Sequence, residues 1–480
     1  MVQPPIPTTT QAILRWAQAN PHGVAVLQKG QSYTWLGLAL HVAKVRAFLA
    51  QAGVQAGQLV VLHCPNAYLS LILLLATESL GAIHASLATQ DLRPEHPAVQ
   101  QAQFICAMDP PPSLAADPRL HRLDAAWEAA TAALPADLAG LAQGSNPADP
   151  VRLGWTSGTT GAPKFMLNTR GQISAILTHF DSVCRPVTPE NSFLCFHGPI
   201  VRGVYLEIIR ALHEGVRVIF SQDFTWLHDA GPLERLYTLL LSADGEALAR
   251  NCQAVGRFLN FYYVDITGSM VSPAMWALMQ ATISRHIFSV YSSNETNSVA
   301  LSGPDGLSRV VPACAVMLVD ARGQPVPPGA VGQVRVRSPR VVDGYLWDPA
   351  LTACHFQDGW FLMSDLASMP EPGVLRLLGR VDDMLNIGGR KLAPYPREQR
   401  LKALPGVTDA LLLQRNNALA QGELVLLLEG PSLADAQALL PLVAQALGDD
   451  IGPYVLHFTP ALPRTPTGKP QREEALRRLG

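Results

Sequence analysis

The segment from Thr156 to Lys164 contains the residue types that a phosphate-binding loop needs. It reads Thr-Ser-Gly-Thr-Thr-Gly-Ala-Pro-Lys, so four hydroxyls, two glycines and a lysine fall within nine residues. Glycine lets the backbone curl until several N–H groups face one anion, and the hydroxyls and the ammonium group donate further hydrogen bonds to phosphate oxygens. The Walker spacing GxxxxGK[ST] is absent. Taken alone, the segment also fits a solvated turn.

This segment resembles the signature loop of the superfamily that contains acyl-CoA synthetases, the adenylation domains of nonribosomal peptide synthetases and firefly luciferase. The superfamily loop reads approximately [ST]-S-G-[ST]-T-G-x-P-K, and all nine positions match. Further motifs of the superfamily follow in the same order and cover nearly the whole chain. The chain is therefore identified as a member by resemblance.

The resemblance implies an enzyme that uses ATP to activate a carboxylic acid. The acid becomes an acyl-adenylate with release of pyrophosphate, and the acyl group then passes to a pantetheine thiol. Such an enzyme is an acid–thiol ligase that produces AMP, with ATP and Mg²⁺ as cofactors. We expect Thr156 to take part in catalysis. The loop residues expected to bind the nucleotide are Ser157, Gly158, Thr159, Thr160, Gly161 and Lys164.

The segment Tyr291–Thr296 resembles the Y-G-x-T-E motif of the superfamily, with Ser292 in place of glycine. By this resemblance Tyr291 stacks on adenine, Asn294 hydrogen-bonds the adenylate phosphate, and Glu295 holds Mg²⁺. A carboxylate is a hard oxygen ligand, and Mg²⁺ that bridges phosphates neutralises the charge that develops on pyrophosphate. Taken alone, Glu295 also fits a solvated loop acid.

Two later segments extend the resemblance to the ribose and to a hinge. Met363–Ala367 resembles the T-G-D-L motif, in which Asp365 accepts hydrogen bonds from both ribose hydroxyls. Gly379–Asp383 matches the G-R-x-D-D hinge motif. Arg380 is then a ribose or phosphate contact, and Asp382 is the pivot about which a small lid domain rotates between two catalytic states.

The end of the chain resembles the lid of the superfamily. Gly388–Pro394 resembles the G-G-x-K-[VI]-S-P motif of thioester-forming members, where paired glycines let the backbone approach a pantetheine arm. Leu462–Lys469 resembles the closing P-R-T-x-x-G-K motif, in which Lys469 contacts the substrate carboxylate and the bridging phosphate oxygen. Its charge opposes the negative charge at the pentacoordinate α-phosphate. We expect Lys469, with Glu295 and Thr156, to carry catalysis.

The segment Arg202–Gly215 aligns without gaps to the pocket helix of amino-acid adenylation domains, where Phe-Asp at the start anchors the α-ammonium group. This chain has Val201 and Arg202 instead, and a cation in place of an anion reverses the preference for the bound group. We expect an acid other than an ordinary α-amino acid, either with a second anionic or carbonyl group or simple with Arg202 directed away. A structural salt bridge is the alternative for Arg202. The residues expected to line a pocket for a small to medium acid are His197, Arg202, Gly203, Leu206, Val290, Ser298 and Val299.

The identity of the acceptor thiol stays open at this stage. It is free coenzyme A or the phosphopantetheine of a separate acyl- or peptidyl-carrier protein, because no L-G-G-x-S carrier motif follows Lys469. The compact N-terminal half and the unusual pocket favour a stand-alone biosynthetic carrier-protein ligase.

The alternative function is a catalytically weak adenylate-binding relative that acts as a sensor or assembly partner. The intact phosphate loop, Glu295 and Lys469 argue against it. The positions that depart from the superfamily patterns, and so favour it, are Ser292, Asn294, Met363, Ser364 and Pro396.

Apolar periodicity and strand-like runs predict the elements that position these motifs, alternating as in an α/β fold. We expect a large N-terminal domain of mixed sheets flanked by helices, residues 1–380, and a small mobile α+β lid domain, residues 381–480. Residues 108–150 should form a surface excursion with one helix near Leu123–Leu134. The other predicted elements include helices over Ala67–Leu80 and Val204–Leu212 and strands over Leu59–His63, Val216–Phe220, Val331–Arg337 and Leu424–Glu429.

Composition narrows the class of protein further. The 480 residues exceed what one hydrophobic core holds, and 36 basic against 38 acidic side chains give no global attraction to nucleic acid or an anionic membrane. Seven scattered cysteines suit a reducing compartment. The start of the chain lacks the features of a signal peptide, and the most apolar run, Leu69–Leu80, is too short to cross a bilayer. We expect a cytoplasmic protein with neither nucleic-acid nor membrane partner.

Overall fold

A computed structural model describes residues 7–157, 163–183, 186–221, 233–387, 390–416, 422–430, 436–448, 451, 453–464 and 470–479. No helix in these ranges combines the length and the apolar character that a membrane crossing requires. In chain order the helices are α1 (Thr9–Ala19), α2 (Trp35–Gln51), α3 (Ala67–Ser79), α4 (Pro97–Gln101), α5 (Ala125–Ala133), α6 (Arg170–Val183), α7 (Arg202–His213), α8 (Ser242–Ala254), α9 (Pro273–Thr282), α10 (Pro349–His355), α11 (Tyr395–Lys402), α12 (Ala436–Leu447) and α13 (Arg472–Arg478).

The strands are distributed over the whole length of the chain. In chain order they are β1 (Val24–Gln28), β2 (Gln31–Thr34), β3 (Leu59–His63), β4 (Ile83–Ser86), β5 (Phe104–Ala107), β6 (Leu120–Arg122), β7 (Pro150–Ser157), β8 (Pro163–Thr169), β9 (Ser192–Cys195), β10 (Arg217–Phe220), β11 (Leu236–Leu241), β12 (Tyr263–Thr267), β13 (Ile287–Ser293), β14 (Asn297–Ser302), β15 (Ser308–Val310), β16 (Ala315–Val319), β17 (Val331–Arg337), β18 (Phe356–Gln357), β19 (Trp360–Glu371), β20 (Val374–Arg380), β21 (Leu385–Ile387), β22 (Arg390–Leu392), β23 (Asp409–Asn416), β24 (Gly422–Glu429) and β25 (Tyr454–Thr459).

A mixed sheet forms the largest part of the fold. Its strand order is β16-β17-β19-β20-β15-β14-β13-β12-β11-β9-β10-β1-β2, with β18 paired to β19. The central strands from β13 to β1 pair in parallel, and the flanking strands pair antiparallel. Ligands of such sheets bind outside the carboxyl ends of the parallel strands. In this protein those ends belong to β1, β9, β10, β11, β12 and β13.

A second sheet has the order β6-β5-β3-β4-β7-β8 and is parallel except for the hairpin of β7 and β8. After Arg380, the described strands join neither of these two sheets. Strands β21 and β22 form a hairpin, and β23, β24 and β25 form a separate small sheet. Mixed sheets flanked by helices, followed by a small α+β unit, confirm the predicted fold class. The boundary near residue 380 and the mobility of the small unit stay predictions.

Helix α7 is buried from Val204 to His213, and its first two residues, Arg202 and Gly203, are half-buried. On one side it packs against the large sheet, and on the other side it reaches the second sheet through Tyr205. The Tyr205 ring centre lies 5.4 Å from the ring centre of His84 on β4 and 4.4 Å from the guanidinium carbon of Arg152 on β7. Polar side chains of such a helix must therefore find their partners inside the protein.

Several predicted elements match the structure closely. The predicted strands Leu59–His63 and Val331–Arg337 are β3 and β17 to the residue, and the predicted helix Ala67–Leu80 is α3 with Leu80 as its C-cap. The prediction that residues 108–150 form only a surface excursion with one helix is wrong. Helix α5 is present, but β6 pairs with β5 and extends the second sheet. Three residues are too few to produce a periodic signal.

A buried carboxylate, Glu78 on α3, joins four elements. Its Oε1 accepts hydrogen bonds from His84 Nε2 at 3.1 Å and from the Tyr205 hydroxyl at 2.6 Å, and its Oε2 lies 3.4 Å from Arg170 Nη1. Burial alone would raise the pKa of Glu78. The hydrogen bond from His84 and the charge of Arg170 outweigh burial and lower this pKa to about 2. The ionised carboxylate therefore holds α3 against β4, α6 and α7.

We expect Glu78→Gln to lower the free energy of unfolding at pH 7 by about 3 kcal/mol, because Arg170 keeps a buried charge and loses its counter-ion. The pKa of Glu78 in the folded protein lies below its ordinary value of 4.5, so the stabilisation is complete above pH 4.5 and disappears as the pH falls towards 2. Urea unfolding followed by circular dichroism should show the gap between variant and wild type narrowing over that interval.

The matched control is Glu128→Gln, which changes an exposed acid on α5. It should leave stability within about 0.5 kcal/mol of the wild type. A gap for Glu78→Gln that stays constant down to pH 2 would contradict an ionised and paired Glu78.

Candidate active site

Strands β7 and β8 hold the two ends of the predicted phosphate loop side by side. They pair antiparallel as far as Thr156 opposite Lys164 and Ser157 opposite Pro163. Thr156 and Lys164 are both half-buried, and of Ser157 only the backbone is described. Five expected site residues lie outside the described residues: Gly158, Thr159, Thr160, Gly161 and Lys469.

Four aromatic rings pack around this hairpin. The His96 ring centre lies 5.7 Å from the ring centres of both Trp155 and Phe165. The Trp155 and Phe165 ring centres are 6.2 Å apart, and the Trp347 ring centre lies 5.2 Å from that of Phe165. Each such pair adds roughly 0.5–1.5 kcal/mol to the burial of its area. The cluster therefore fixes the position of the β7–β8 hairpin.

A backbone bridge brings Tyr345 to the hairpin. The Leu346 N–H donates to the Phe165 carbonyl at 2.7 Å. The Tyr345 hydroxyl donates to Glu295 Oε1 at 2.9 Å, and Lys164 Nζ lies 5.5 Å from the centre of the Tyr345 ring. Burial, and then the charge of Glu295, raise the pKa of Tyr345, so the phenol keeps the proton that it donates. Lys164, Tyr345 and Glu295 are called the Glu295 cluster below.

Glu295 lies in the tight turn between β13 and β14. The Ser293 N–H donates to Thr296 Oγ1 at 3.3 Å, and the Thr296 N–H donates to Ser293 Oγ at 3.2 Å. Asn294 Nδ2 donates to the Trp155 carbonyl at 3.3 Å. This hydrogen bond joins the turn to β7, the strand that leads into the expected phosphate loop.

The chemistry of Glu295 fits the Mg²⁺ that accompanies a nucleotide. Among the described residues, no group of three or more His, Cys, Asp or Glu side chains could hold a metal ion by itself. Mg²⁺ in phosphate-transfer sites takes one or two carboxylates and completes its shell with phosphates and water. The single carboxylate of Glu295, oriented by Tyr345, is compatible with that mode of binding.

A second group of side chains lies where β19 and β20 pair. Asp365 is opposite Arg380 in this ladder. Burial, and then the charge and hydrogen bond of Asp365, raise the pKa of Tyr291, while the charge of Arg380 opposes that rise. The Tyr291 hydroxyl also lies 3.4 Å from Met363 Sδ. Tyr291, Asp365 and Arg380, called the Asp365 cluster below, are thus neighbours as the ribose and adenine assignments require.

The expected hinge begins directly after a glycine that the fold requires. Gly379 has φ +108°, and a Cβ there would lie 3.0 Å from Tyr395 Cβ. The exposed Asp382 has its Oδ2 3.5 Å from Arg380 Nη2. The chain therefore leaves the large sheet through a position that only glycine adopts without strain.

Arg202 is the first residue of α7 and lies close to the Glu295 cluster. Its Nε donates to Asn168 Oδ1 at 3.3 Å. Burial, and then the charge of Arg152, lower the pKa of Arg202 to about 10, while Glu295 opposes this shift. Arg202 Nη2 and Asn168 Nδ2 are buried and have no hydrogen-bond partner within the described ranges. The pair therefore retains donors for an oxyanion.

The other expected pocket residues lie on α7, β13 and β14. A Cβ on Gly203 would lie 3.4 Å from Leu239 Cδ1 on β11, so the two residues are in contact. Leu206 is buried on α7, and Val290 is half-buried on β13. Ser298 and Val299 are successive residues of β14, whose side chains point to opposite faces of the sheet.

His197 follows β9 at the carboxyl edge of the large sheet. Its Nε2 lies 2.9 Å from Asp244 Oδ2 in the first turn of α8. The Asp244 carboxylate accepts a hydrogen bond from this nitrogen and so fixes the orientation of the imidazole. The His197 side chain is half-buried.

Sequence reasoning missed three residues of this arrangement: Tyr345, Asn168 and Asp244. Each is separated from its partner by tens of residues in the chain, and none stands in a spacing that indicates a contact. Tyr345 reaches Glu295 only because its neighbour Leu346 bridges to β8. The one available signal was the polar character of Asn168 within a strand of mainly apolar residues.

Comparisons with known proteins show the family and the fold of this chain. The sequence model of the AMP-binding enzyme family matches residues 13–346. A feruloyl-CoA synthase of Amycolatopsis sp is 27% identical over 511 residues, covering 97% of this chain and 98% of that protein. An indoleacetate–CoA ligase of Aromatoleum aromaticum is 27% identical over 498 residues, covering 96% of each. The structure of an anthranilate CoA ligase in complex with anthranoyl-AMP shares the fold, with a TM-score of 0.87 at 19% identity, over 99% of this chain and 98% of that chain.

We expect Asp365→Asn to raise the dissociation constant of ATP about tenfold, because a charged acceptor of ribose hydroxyls is lost. The increase should be smaller for 2′-deoxy-ATP, which lacks one of the two hydroxyls. Isothermal titration calorimetry with both nucleotides measures the difference.

The control is Glu371→Gln, which changes an exposed acid on the same strand, β19. It should leave both dissociation constants unchanged. Equal losses for ATP and 2′-deoxy-ATP in Asp365→Asn would remove Asp365 from the ribose site.

Proposed function

The chain belongs to the AMP-binding enzyme family, and we propose that it activates a carboxylic acid with ATP and transfers the acyl group to a thiol. In the first step a carboxylate oxygen of the acid bonds to the α-phosphorus of ATP, and the bond to pyrophosphate breaks. In the second step the thiol loses its proton, its sulfur bonds to the acyl carbon, and AMP leaves. Relatives named as CoA synthase and CoA ligase over nearly the whole chain support this reaction class.

The observation that carries the proposal is the convergence of the Glu295 cluster and the Asp365 cluster at one edge of the fold. The Glu295 turn directly follows Tyr291 on β13, and Asn294 binds the strand that enters the phosphate loop. One nucleotide can therefore place its base and ribose at the Asp365 cluster and its phosphates at the Glu295 cluster.

The residues act by positioning and by charge rather than by forming a covalent intermediate. Lys164 and the loop donors oppose the charge on the phosphates, and Glu295 supplies a ligand for Mg²⁺, whose charge stabilises the departing pyrophosphate. Tyr345 keeps Glu295 in place through its hydrogen bond. Lys469, which the resemblance assigns to the α-phosphate, completes the site when the small C-terminal unit closes about Asp382.

Coenzyme A is the acceptor that the relatives favour, since both are named for it. A separate acyl- or peptidyl-carrier protein presents the same pantetheine thiol and is the second acceptor. The sensor hypothesis, in which adenylate binds without turnover, has no support from these relatives.

The experiment that tests the proposal is acid-dependent exchange of pyrophosphate into ATP, run over a panel of carboxylic acids. At least one acid should support exchange. Lys469→Ala should lower the exchange rate by at least about a hundredfold, because a charge that acts mainly in the transition state is lost. Absence of exchange with every acid would support the adenylate-binding hypothesis instead.

The acceptor is identified with the acid that the exchange assay selects. Enzyme, ATP and acid are incubated with coenzyme A or with a phosphopantetheine-loaded carrier protein, and thioester is detected by mass spectrometry.

Tyr345→Phe should slow adenylation and raise the Mg²⁺ concentration needed for half-maximal rate several-fold, since Glu295 loses its hydrogen bond. An unchanged Mg²⁺ dependence would contradict the assignment of Glu295 as a Mg²⁺ ligand that Tyr345 orients.

We propose that the substrate is not an ordinary α-amino acid, because Arg202 and Asn168 present buried donors at the start of α7. These donors match a second carboxylate or carbonyl on the acid. They also match an oxygen of a nucleotide phosphate, so the test must separate the two sources of oxyanion.

Arg202→Met should raise the KM of an acid with a second carboxylate or carbonyl at least tenfold relative to the KM of its simple counterpart. The KM of ATP should stay unchanged, because the lost hydrogen bond involves only the acid. Arg322→Met, at an exposed position, is the control and should change neither value. A rise in the KM of ATP alone would assign Arg202 to the phosphates.

A further inference from the structure

The chain is anchored on both sides of Asp382. On the N-terminal side, the Val381 N–H donates to the Ser364 carbonyl on β19 at 2.8 Å, so Val381 is held by the large sheet. On the C-terminal side, Asp383 Oδ1 lies 3.4 Å from Arg472 Nε on α13. Asp382 is the residue between these two anchors.

Arg472 is fixed within the small C-terminal unit by a second carboxylate. Its Nη1 and Nη2 donate to Glu398 Oε1 and Oε2 at 2.8 Å and 3.0 Å, and Nη1 also donates to the Leu412 carbonyl at 3.0 Å. The Glu398 side chain is 5% exposed, and its Oε1 accepts the Leu412 N–H at 2.8 Å. A two-point arginine–carboxylate pair fixes the direction of both groups. Arg472 therefore moves with α11 and β23, and Asp383 moves with Arg472.

The same arginine lies next to the segment that carries Lys469. Arg472 follows Lys469 by three residues in the chain. Lys469 itself lies outside the described residues, but the Gln471 N–H donates to the Pro463 carbonyl at 2.8 Å. The residues just before and just after the segment are thereby joined. Arg472 thus connects the expected hinge to the base of the segment that must bring Lys469 to the nucleotide.

The described contacts that cross Asp382 are weak. The Asp383 N–H donates to the Arg380 carbonyl at 3.2 Å, and the Met384 N–H donates to the Val381 carbonyl at 3.3 Å. Asp382 Oδ2 lies 3.5 Å from Arg380 Nη2, and both side chains are exposed. Exposed groups exchange such contacts for water at little net cost. A change in the dihedral angles of Asp382 is therefore permitted, and it leaves the ion pair of Asp383 intact.

We propose that Arg472 is a positioning residue, which binds Asp383 so that the small unit turns about Asp382 alone and brings Lys469 to a defined place. This inference rests on the proposed function and concerns how its lysine is positioned. The next residue that packs in the core of the small unit is Leu385. Without the ion pair, Asp383 and Met384 would become additional pivots before that point. The charge of Lys469 would then be in place for a smaller fraction of the time.

A distance measurement tests the position of the small unit directly. Spin labels on p-acetylphenylalanine are placed at Glu371 on β19 and Arg477 on α13, two exposed positions. Pulsed electron paramagnetic resonance on the full-length protein should give narrow distance distributions for the wild type, with and without ATP. Asp383→Asn should broaden them, because the charge that Arg472 binds is lost. Its thermal unfolding should match the wild type, since the pair of Arg472 with Glu398 is retained.

Pyrophosphate exchange, with an acid that the wild type accepts, tests the effect on Lys469. Asp383→Asn should lower the exchange rate about tenfold, because Lys469 is held less precisely. In the Lys469→Ala background, the same change should lower the rate by less than about twofold, since no charge remains to be positioned. Glu473→Gln, which changes an exposed acid on α13, is the control and should leave both rates and distances unchanged.

Equal losses of exchange in the two backgrounds would overturn the inference, because a purely structural contact acts whether or not Lys469 is present. An Asp383→Asn variant with the distance distributions of the wild type would overturn it as well. Both results leave acid activation itself standing. Absence of exchange with every acid removes the proposed function instead, and the distance measurement still decides whether Arg472 holds the hinge through Asp383.

Discussion

The burial of α7 is the constraint on which the arrangement of the site depends. No side of this helix faces water, so each polar side chain that it carries must be matched inside the protein. Tyr205 is matched by Glu78, which ties the helix to the second sheet. Arg202 donates to Asn168 on β8, and its Nη2 is a buried donor without a partner within the described residues. The interactions that fix the helix and those that would select a substrate therefore share one element.

The groups proposed to bind the nucleotide are held in a different way, on paired strands and the turns that join them. The hairpin of β7 and β8 carries the phosphate loop, the turn after β13 carries Glu295, and the β19–β20 pair carries Asp365. Backbone ladders place these loops, while Tyr345 and Asn294 join them to one another. Hydrogen-bonded strand ladders keep these groups from shifting by as much as an ångström. Charge stabilisation of a transition state requires that precision. The acyl site can vary while the chemistry stays the same.

The expected acid end of the site is held by fewer contacts than the expected nucleotide end. Arg202 donates one hydrogen bond to Asn168, and both side chains keep a buried donor without a partner within the described residues. These donors are consistent with a site whose last hydrogen bonds are supplied by a ligand.

The sequence alone determined the family and the fold class and predicted the segments proposed to bind the nucleotide, because each is encoded by contiguous residues whose spacing suits one backbone geometry. It also placed β3, α3 and β17 within a residue, since their apolar patterns are long and regular. The tertiary structure alone decided that Tyr345 orients Glu295 and that Asp244 orients His197. The strand β6 was likewise missed. These features depend on register between distant strands and on burial, and no local pattern in a chain records which strands become neighbours.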